Sequence, residues 1–288
     1  MAQTLTTAVA RPRRRPRPRP AAGLPTLVLA SAGLLLVVLA ALAPDLLTGA
    51  SPVTTDPVHA LAAPSAAHWF GTDQLGRDLF ARVLYGARPS LLLGAGSTVL
   101  AVVGGALLGL AAALGGRVTD QLLMRLADVL LALPPILLAL LAVTVLGTGA
   151  VNVMIAIALA FVPGYARLVR GEALVVRRAG YVEAAVGLGL PRPLLIVRHI
   201  LPNAVGPLLV LATVGFGSSL IAASGLSFLG LGPQPPSPEW GSMLSQGRGF
   251  LATAWWVGLF PGAAITLTAL VVNAVGRRLQ ARFTRRTG

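Results

Sequence analysis

The chain contains no cysteine and no lysine, and only nine of its 288 residues are acidic. Without cysteine, neither a disulfide nor a thiolate metal site can form. Without lysine, the phosphate-cradling loop G-x-x-x-x-G-K-S/T is impossible, so the chain does not itself bind ATP in that way. All 23 basic residues are therefore arginines.

The few acidic residues lie near the ends of the apolar stretches or in the segments between them. Carboxylates inside a bilayer are costly and mark ion or proton pathways, so their absence from mid-span disfavours a secondary carrier. The chain also has no HExxH and no Gly-x-Ser-x-Gly pattern, and its three histidines are scattered. We therefore predict a non-catalytic chain with no metal or cofactor of its own.

Apolar residues dominate the composition, at 55% hydrophobic against 11% charged, with a mean hydropathy of +0.79. This balance is typical of an integral membrane protein. A helix needs about 20 mainly apolar residues to cross the hydrocarbon core. Six stretches qualify, which predicts an all-α polytopic fold with six transmembrane helices: 24–47, 91–114, 122–146, 151–168, 204–223 and 256–275.

The arginines are unevenly divided between the two sides of the membrane. With a cytoplasmic N-terminus, nineteen lie in the cytoplasm and four outside, namely Arg77, Arg82, Arg88 and Arg248. Arginine-rich segments stay in the cytoplasm, so we predict a multi-pass protein of the plasma or inner membrane with both termini cytoplasmic. The proline- and arginine-rich run 11–20 lacks interleaved aromatics, which predicts a topology anchor and no nucleic-acid partner.

This topology divides the chain into four segments. Residues 1–23 are predicted to be a disordered basic cytoplasmic tail, and 24–90 the first transmembrane helix with an amphipathic extracytoplasmic segment. Residues 91–276 form a five-helix core that contains a cytoplasmic loop at 169–203, and 277–288 form a basic cytoplasmic tail.

Prolines and small residues punctuate the predicted helices. Pro134 and Pro135 each remove a backbone donor and predict a kink near Leu133, and Pro163 predicts another late in the fourth stretch. Glycines and serines at 215–219 favour close helix packing.

Two segments on the outer side have a simple structural interpretation. Residues 73–88 predict an amphipathic helix on the bilayer surface, with Asp73 as its N-cap and an ion pair between Asp78 and Arg82. Residues 235–240 predict a rigid turn with an interfacial tryptophan, Trp240.

A polar segment, residues 183–203 with the sequence EAAVGLGLPRPLLIVRHILPN, interrupts the apolar chain on the cytoplasmic side. It cannot lie in hydrocarbon, because its charged side chains would lose their water. The pattern predicts a helix over 167–188, a turn with positive φ at Gly189, and a short second helix that begins at Pro191. The segment is thus a helical hairpin on the cytoplasmic face.

These residues resemble the EAA loop of ATP-binding-cassette importer permeases, in which EAA is followed by three residues, glycine, nine residues and Ile-x-Leu-Pro. His199 replaces the pattern's isoleucine, and the ending 198–203 is similar to that of the peptide-importer branch. By this resemblance, the residues that couple the chain to an ATPase are Glu183, Ala184, Ala185, Gly189, Pro191, Arg198, His199, Pro202 and Asn203.

Two further segments, 68–94 and 226–241, resemble outer segments of dipeptide, oligopeptide and nickel permeases. The resemblance covers about residues 24–275, and departs from the family at Ala223, where an acidic residue is common, and in the basic C-terminal end. The matched motif residues are Gly71, Thr72, Asp73, Gly76, Arg77, Asp78, Pro238, Glu239, Trp240 and Gly241.

The resemblance implies a permease subunit that translocates di- or oligopeptides, or a related solute such as a nickel chelate, delivered by an extracytoplasmic binding protein. It implies a homologous second permease and two cytoplasmic ATPase subunits that bind the ATP. The alternatives are an importer of another small solute, a channel or carrier that needs no ATPase, and a membrane scaffold.

Overall fold

The computed structural model describes residues 24–284, and within this range the chain forms helices and no strands. The prediction of an all-α fold is thus confirmed for these residues. The predicted tail at 1–23 and residues 285–288 of the C-terminal tail lie outside the described range.

The described part of the chain contains ten α-helices. They are α1 Leu24–Leu42, α2 Leu79–Leu114, α3 Arg117–Leu131, α4 Pro135–Leu146, α5 Ala150–Arg177, α6 Gly180–Gly187, α7 Arg192–Leu195, α8 Leu201–Phe228, α9 Trp240–Gly247 and α10 Trp256–Thr284. Short 3-10 helices lie at Pro44–Leu46, Pro57–His59 and Arg248–Phe250, and a π-helical turn, Ile196–Ile200, joins α7 to α8.

Four of these helices are long and apolar enough to cross a bilayer: α2, α5, α8 over Leu211–Phe228, and α10 over Trp256–Arg278. The predicted third span is instead two helices, α3 and α4, bent by 99° at their junction. If this pair counts as one span, the described residues contain five. The helix α1 is also apolar, and its fully described part is Val28–Leu42.

The bend between α3 and α4 follows from two adjacent prolines. Pro134 has an extended backbone, with φ −55° and ψ 133°, because a residue before proline is driven out of the helical region. Pro135 then begins α4, where its missing N–H costs nothing. The predicted kink near Leu133 is confirmed, whereas α5 continues through Pro163 as one helix.

The polar face of α3 is bound to α5 by ion pairs. Arg170 donates to Asp120, with an Nη2 to Oδ2 distance of 2.6 Å, and Arg167 pairs with Asp128 nearby on the exposed surface. These contacts neutralise two arginines of α5 and hold α3 against it.

Glycines allow the long helices to approach closely. A side chain at Gly109 of α2 would lie 2.5 Å from the Ala166 carbonyl oxygen of α5, and one at Gly217 of α8 would lie 2.8 Å from the Asn273 amide of α10. The predicted packing role of the small residues in 215–219 is confirmed at Gly217.

Candidate functional site

The hairpin begins where the predicted continuous helix is interrupted. We expected one helix over 167–188, but α5 ends at Arg177 and α6 starts at Gly180. Ala179 is extended, and its carbonyl oxygen accepts hydrogen bonds from the N–H groups of Val182 (2.9 Å) and Glu183 (3.2 Å). This break lets α6 leave the direction of α5.

The chain turns at Gly189, which has a φ of +79° as predicted. The N–H of Leu190 donates to the Ala185 carbonyl at 3.1 Å, and that of Gly189 to the Val186 carbonyl at 2.9 Å. This arrangement ends α6 with its last carbonyls satisfied, and glycine adopts the positive φ without a Cβ penalty. The short helix α7 follows, and the rings of Tyr181 and His199 lie 6.2 Å apart across the hairpin.

One face of the hairpin is anchored to the bundle. Val182, Leu195 and Ile200 are buried in a cluster with Ala113 at the end of α2 and with Ala173 of α5. The other face exposes large apolar side chains to the surroundings, and Leu188 is 86% exposed. These exposed side chains are Tyr181, Val186, Leu188, Leu194 and Val197.

The predicted coupling residues are mostly on the accessible side of the hairpin. Ala185 and His199 are half-buried, and Asn203 lies in the first turn of α8. The exposed members are Glu183, Ala184, Gly189, Pro191, Arg198 and Pro202. The hairpin therefore combines a fixed base with an unpartnered apolar and charged surface, a combination suited to binding a protein.

At the opposite end of α2, the first outer motif forms a tight turn. The Asp73 carboxylate accepts hydrogen bonds from the N–H of Leu75 (2.9 Å), the N–H of Arg77 (3.0 Å) and the Arg77 Nε (2.6 Å). Gly71 and Gly76 have φ values of +74° and +73° on either side of Asp73. Asp73 is therefore a turn residue and not a helix N-cap, contrary to the sequence prediction.

Thr72 of the same motif is fully buried and ties the turn to two other segments. Its hydroxyl accepts from the Ala62 N–H at 2.8 Å and donates to the His59 carbonyl. Its own carbonyl accepts from the indole of Trp256, at the start of α10, at 3.1 Å. The contact with Trp256 could not be predicted from the sequence, because 184 positions separate the two residues.

Arg82 takes part in a buried ion-pair cluster and not in the surface pair predicted with Asp78. Its side chain is 1% exposed, and its Nε lies 3.4 Å from the Asp73 carboxylate. Asp78 instead caps α2 by accepting from the Ala81 N–H at 2.8 Å, and it also contacts His68 at 2.9 Å.

The predicted surface helix at 73–88 is therefore wrong. The segment from Leu79 onward is the buried start of α2, which continues without a break to Leu114. Arg77 extends the cluster to α9 by donating to the Gln246 side-chain oxygen at 3.1 Å.

The second outer motif is buried against α2. The Glu239 carboxylate caps α9 by accepting from the N–H groups of Gly241 (2.9 Å) and Ser242 (2.8 Å). Burial raises the pKa of the Glu239 carboxyl, and these two hydrogen bonds oppose that shift. Ser90 of α2 reaches the same carboxylate at 3.4 Å.

Trp240 is 2% exposed and is not the interfacial residue that the sequence predicted. Two glycines allow the close packing around Trp240. A side chain at Gly86 of α2 would collide with the Pro238 carbonyl, and a side chain at Gly241 would lie 2.5 Å from the Ser224 carbonyl. The outer motifs thus pack on each other and on α2. Ala223, where the family pattern is commonly acidic, is buried with Leu226 in an apolar cluster.

No group of three or more histidine, aspartate or glutamate residues that could hold a metal ion occurs within the described range 24–284.

Residues 105–288 match the family described as binding-protein-dependent transport system inner membrane component. The chain belongs to this family. The resemblance to importer permeases inferred from the motifs is thereby confirmed. As a member of this permease family, the protein is a multi-pass membrane component of a transport system.

Curated relatives agree with this assignment. The dipeptide transport system permease protein DppC of Alkalihalophilus pseudofirmus is 45% identical over 255 residues, which cover 88% of this chain and 84% of the relative. The probable D,D-dipeptide transport system permease protein DdpC of Escherichia coli is 48% identical, with 78% and 76% covered. The glutathione transport system permease protein GsiD of Pectobacterium atrosepticum is 45% identical, with 75% and 72% covered.

Solved permeases share the fold. An inward-facing MetNI methionine ABC transporter aligns with a TM-score of 0.56 at 17% identity, covering 69% of this chain and 94% of that chain. An amino acid ABC transporter crystallised with histidines aligns with a TM-score of 0.55 at 15% identity, covering 70% and 94%. At this identity the likeness concerns the fold alone.

Proposed function

We propose that this chain is a permease subunit of an ATP-driven importer of di- or oligopeptides, or of a related small solute, with both termini in the cytoplasm. Three relatives at 45–48% identity are named for the transport of dipeptides, D,D-dipeptides and glutathione, all of which are peptides. A shared peptide chemistry across these names supports the substrate class. The excess of arginines on the hairpin side supports the orientation.

The ATPase subunits bind the hairpin at 183–203 in this proposal. The observation that carries it is the division of the hairpin into two faces: Val182, Leu195 and Ile200 are buried in the bundle, while Leu188 and Val197 remain exposed. An apolar surface of this kind on a rigid base can transmit motion from a bound partner to the spans. The proposed assembly also contains a second ATPase copy, a homologous second permease and an extracytoplasmic binding protein. Membership of the family supports this assembly.

Nucleotide then moves the membrane helices through this contact. Closure of an ATPase dimer displaces α6 and α7, which are packed on the ends of α2 and α5 through Ala113 and Ala173. Because those helices are long and closely packed, the displacement tilts them and changes which side of the membrane the path faces.

Co-purification tests the docking surface. Two variants of the full chain are each expressed with the partner subunits. The hairpin variant carries both Leu188→Glu and Val197→Glu, and the matched control carries Val58→Glu. Val58 is 88% exposed at the opposite end of the bundle. The hairpin variant is expected to lose the ATPase while it remains inserted in the membrane, and the control is expected to retain it. Equal recovery of the ATPase with both variants contradicts the proposal.

Uptake measurements test the substrate. Proteoliposomes with the complete transporter and trapped ATP are expected to accumulate a labelled dipeptide and to fail without ATP. Uptake of a nickel chelate in place of the peptide reassigns the substrate and leaves the docking proposal intact. Solute flux that needs neither ATP nor an ATPase subunit contradicts the importer proposal itself.

A further inference from the structure

Six aromatic rings form a continuous cluster at the end of the bundle where α2 and α10 begin. Phe70 stacks on Phe260 of α10 at a ring-centroid distance of 3.9 Å and meets Phe80 of α2 edge-on at 5.0 Å. The cluster extends on one side through Phe80 to Trp69, at 5.0 Å, and on the other from Phe260 to Trp255 at 6.2 Å. Trp255 also contacts Trp256 at 5.8 Å.

The four tryptophans divide into two pairs with opposite environments. Trp240 and Trp256 are 2% and 6% exposed, and each donates its indole N–H to a backbone carbonyl, of Val83 at 2.8 Å and of Thr72 at 3.1 Å. Trp69 and Trp255 are 65% and 54% exposed. Neither donates its N–H to a protein acceptor in the part of the chain that the structure describes.

Trp255 also heads an exposed apolar stripe on α10. Leu259, Leu267 and Leu270 are all exposed, and their spacing from Trp255 places them on one face of the helix. Because α10 is long and apolar enough to cross a bilayer, an exposed apolar face of this kind lies in hydrocarbon. Trp255 lies at the start of this stripe, immediately before α10.

We propose that Trp69 and Trp255 anchor the protein in the lipid interface at the end of the bundle opposite the hairpin. Their rings lie at the boundary between acyl chains and headgroups, and their indole N–H groups donate to phospholipid ester or phosphate oxygens. A large apolar ring with one polar N–H is stable in this zone, because only there are both parts solvated. The exposed leucines on α10, a helix long and apolar enough to cross a bilayer, favour lipid over a protein partner.

The aromatic cluster transmits this anchoring to two spans at once. The stacked pair Phe70 and Phe260 joins the segment before α2 to the second turn of α10, so both helices are held at one depth. The proposal concerns the membrane position of the chain and does not depend on which solute it transports.

Fluorescence quenching by brominated lipid tests the proposal directly. The full chain is reconstituted in phosphatidylcholine vesicles that carry bromine either near the headgroup end or near the terminal methyl of the acyl chain. The intact protein is expected to be quenched more by the shallow bromine. A variant with both Trp69→Phe and Trp255→Phe is expected to lose most of that quenching, because only the two buried tryptophans remain. Phenylalanine retains the ring packing of the cluster.

Three results overturn the proposal. The first is equal or stronger quenching by the deep bromine, and the second is unchanged shallow quenching in the double variant. The third is full quenching of Trp69 and Trp255 by aqueous iodide in vesicles, if this quenching disappears when an extracytoplasmic binding protein is added. That result would show that the two rings form a surface for the binding protein.

Discussion

The Trp240 indole nitrogen lies 2.8 Å from the backbone carbonyl oxygen of Val83, although 157 positions separate the two residues in the chain. Two helical turns further along α2, the Ser90 hydroxyl accepts from the Trp240 backbone N–H at 3.0 Å. These bonds hold α9 against α2. The two outer motifs are therefore one buried structural unit, and changes in either are expected to act first on stability.

Substitution of Asp73 by asparagine tests the buried ion-pair cluster. Asp73 is the acidic partner of Arg77 and Arg82, whose side chains are 4% and 1% exposed. Asp73→Asn leaves both cations buried without that counter-charge, so we expect a loss of about 3–5 kcal/mol of stability. The thermal unfolding midpoint of the purified protein in detergent measures it.

The matched control is Asp128→Asn, which breaks an exposed ion pair with Arg167. Exposed pairs contribute about 0–1 kcal/mol, so the midpoint is expected to change little. Similar losses in both variants would show that burial of the Asp73 cluster has no special effect.

Gly76 is expected to reject any side chain. Its φ is +73°, and a Cβ there would overlap the Asp56 carbonyl. Gly76→Ala combines this overlap with a backbone penalty of about 1–2 kcal/mol. Gly230→Ala isolates the backbone term, since Gly230 has a φ of +84° and open space around it. The thermal unfolding midpoint of the Gly230→Ala variant should be higher than that of the Gly76→Ala variant. The reverse order contradicts the predicted overlap.

Glu239 is expected to give the protein a specific pH dependence. Burial raises the pKa of its carboxyl above the ordinary value of 4.5, so the folded state binds this proton more tightly than the unfolded state. The resulting stabilisation is fully present below pH 4.5 and is lost as the pH rises through the higher folded-state pKa. Glu239→Gln cannot titrate, so its midpoint should fall less than that of the intact protein over this range. A parallel fall in both proteins contradicts the prediction.

Gly189 is expected to couple ATP hydrolysis to transport. Its φ of +79° is strained for a β-branched residue, so Gly189→Val should distort the turn between α6 and α7. ATP hydrolysis by the assembled complex should continue while uptake falls at least severalfold. Gly171→Val provides the control, because Gly171 is exposed on α5 with open space around it. Normal uptake by the Gly189 variant would refute the coupling role of this turn.

The absence of cysteine makes the orientation directly testable. Val58→Cys and Leu188→Cys each introduce one thiol, at side chains that are 88% and 86% exposed at opposite ends of the bundle. In cells whose outer envelope is permeabilised but whose plasma membrane is intact, a membrane-impermeant maleimide should label the Val58→Cys variant. It should label the Leu188→Cys variant only after the cells are lysed. The inverted pattern places the hairpin outside the cell.

Some features of the fold followed from local chemistry. Long apolar runs required helices, because a backbone in hydrocarbon must satisfy its own hydrogen bonds. The bend near Leu133 followed from Pro134 and Pro135, and the positive φ of Gly189 followed from the glycine and its flanking helices. Each of these depends on residues adjacent in sequence.

Burial, in contrast, depends on which distant segments meet, and the sequence did not indicate it. Asp78 and Arg82 have the spacing of a helical ion pair, but Asp73 lies closer to Arg82 once the turn at Gly76 folds back. Tryptophan is a residue type that is typical of membrane interfaces, but Trp240 is covered by α2. The sequence alone determined the membrane class, the helical content and the hairpin turn, since these arise from solvation and local backbone limits. Only the tertiary structure decided that the outer motifs are buried and that Trp69 and Trp255 are the exposed tryptophans, because long-range packing selects which polar and aromatic groups lose their contact with solvent.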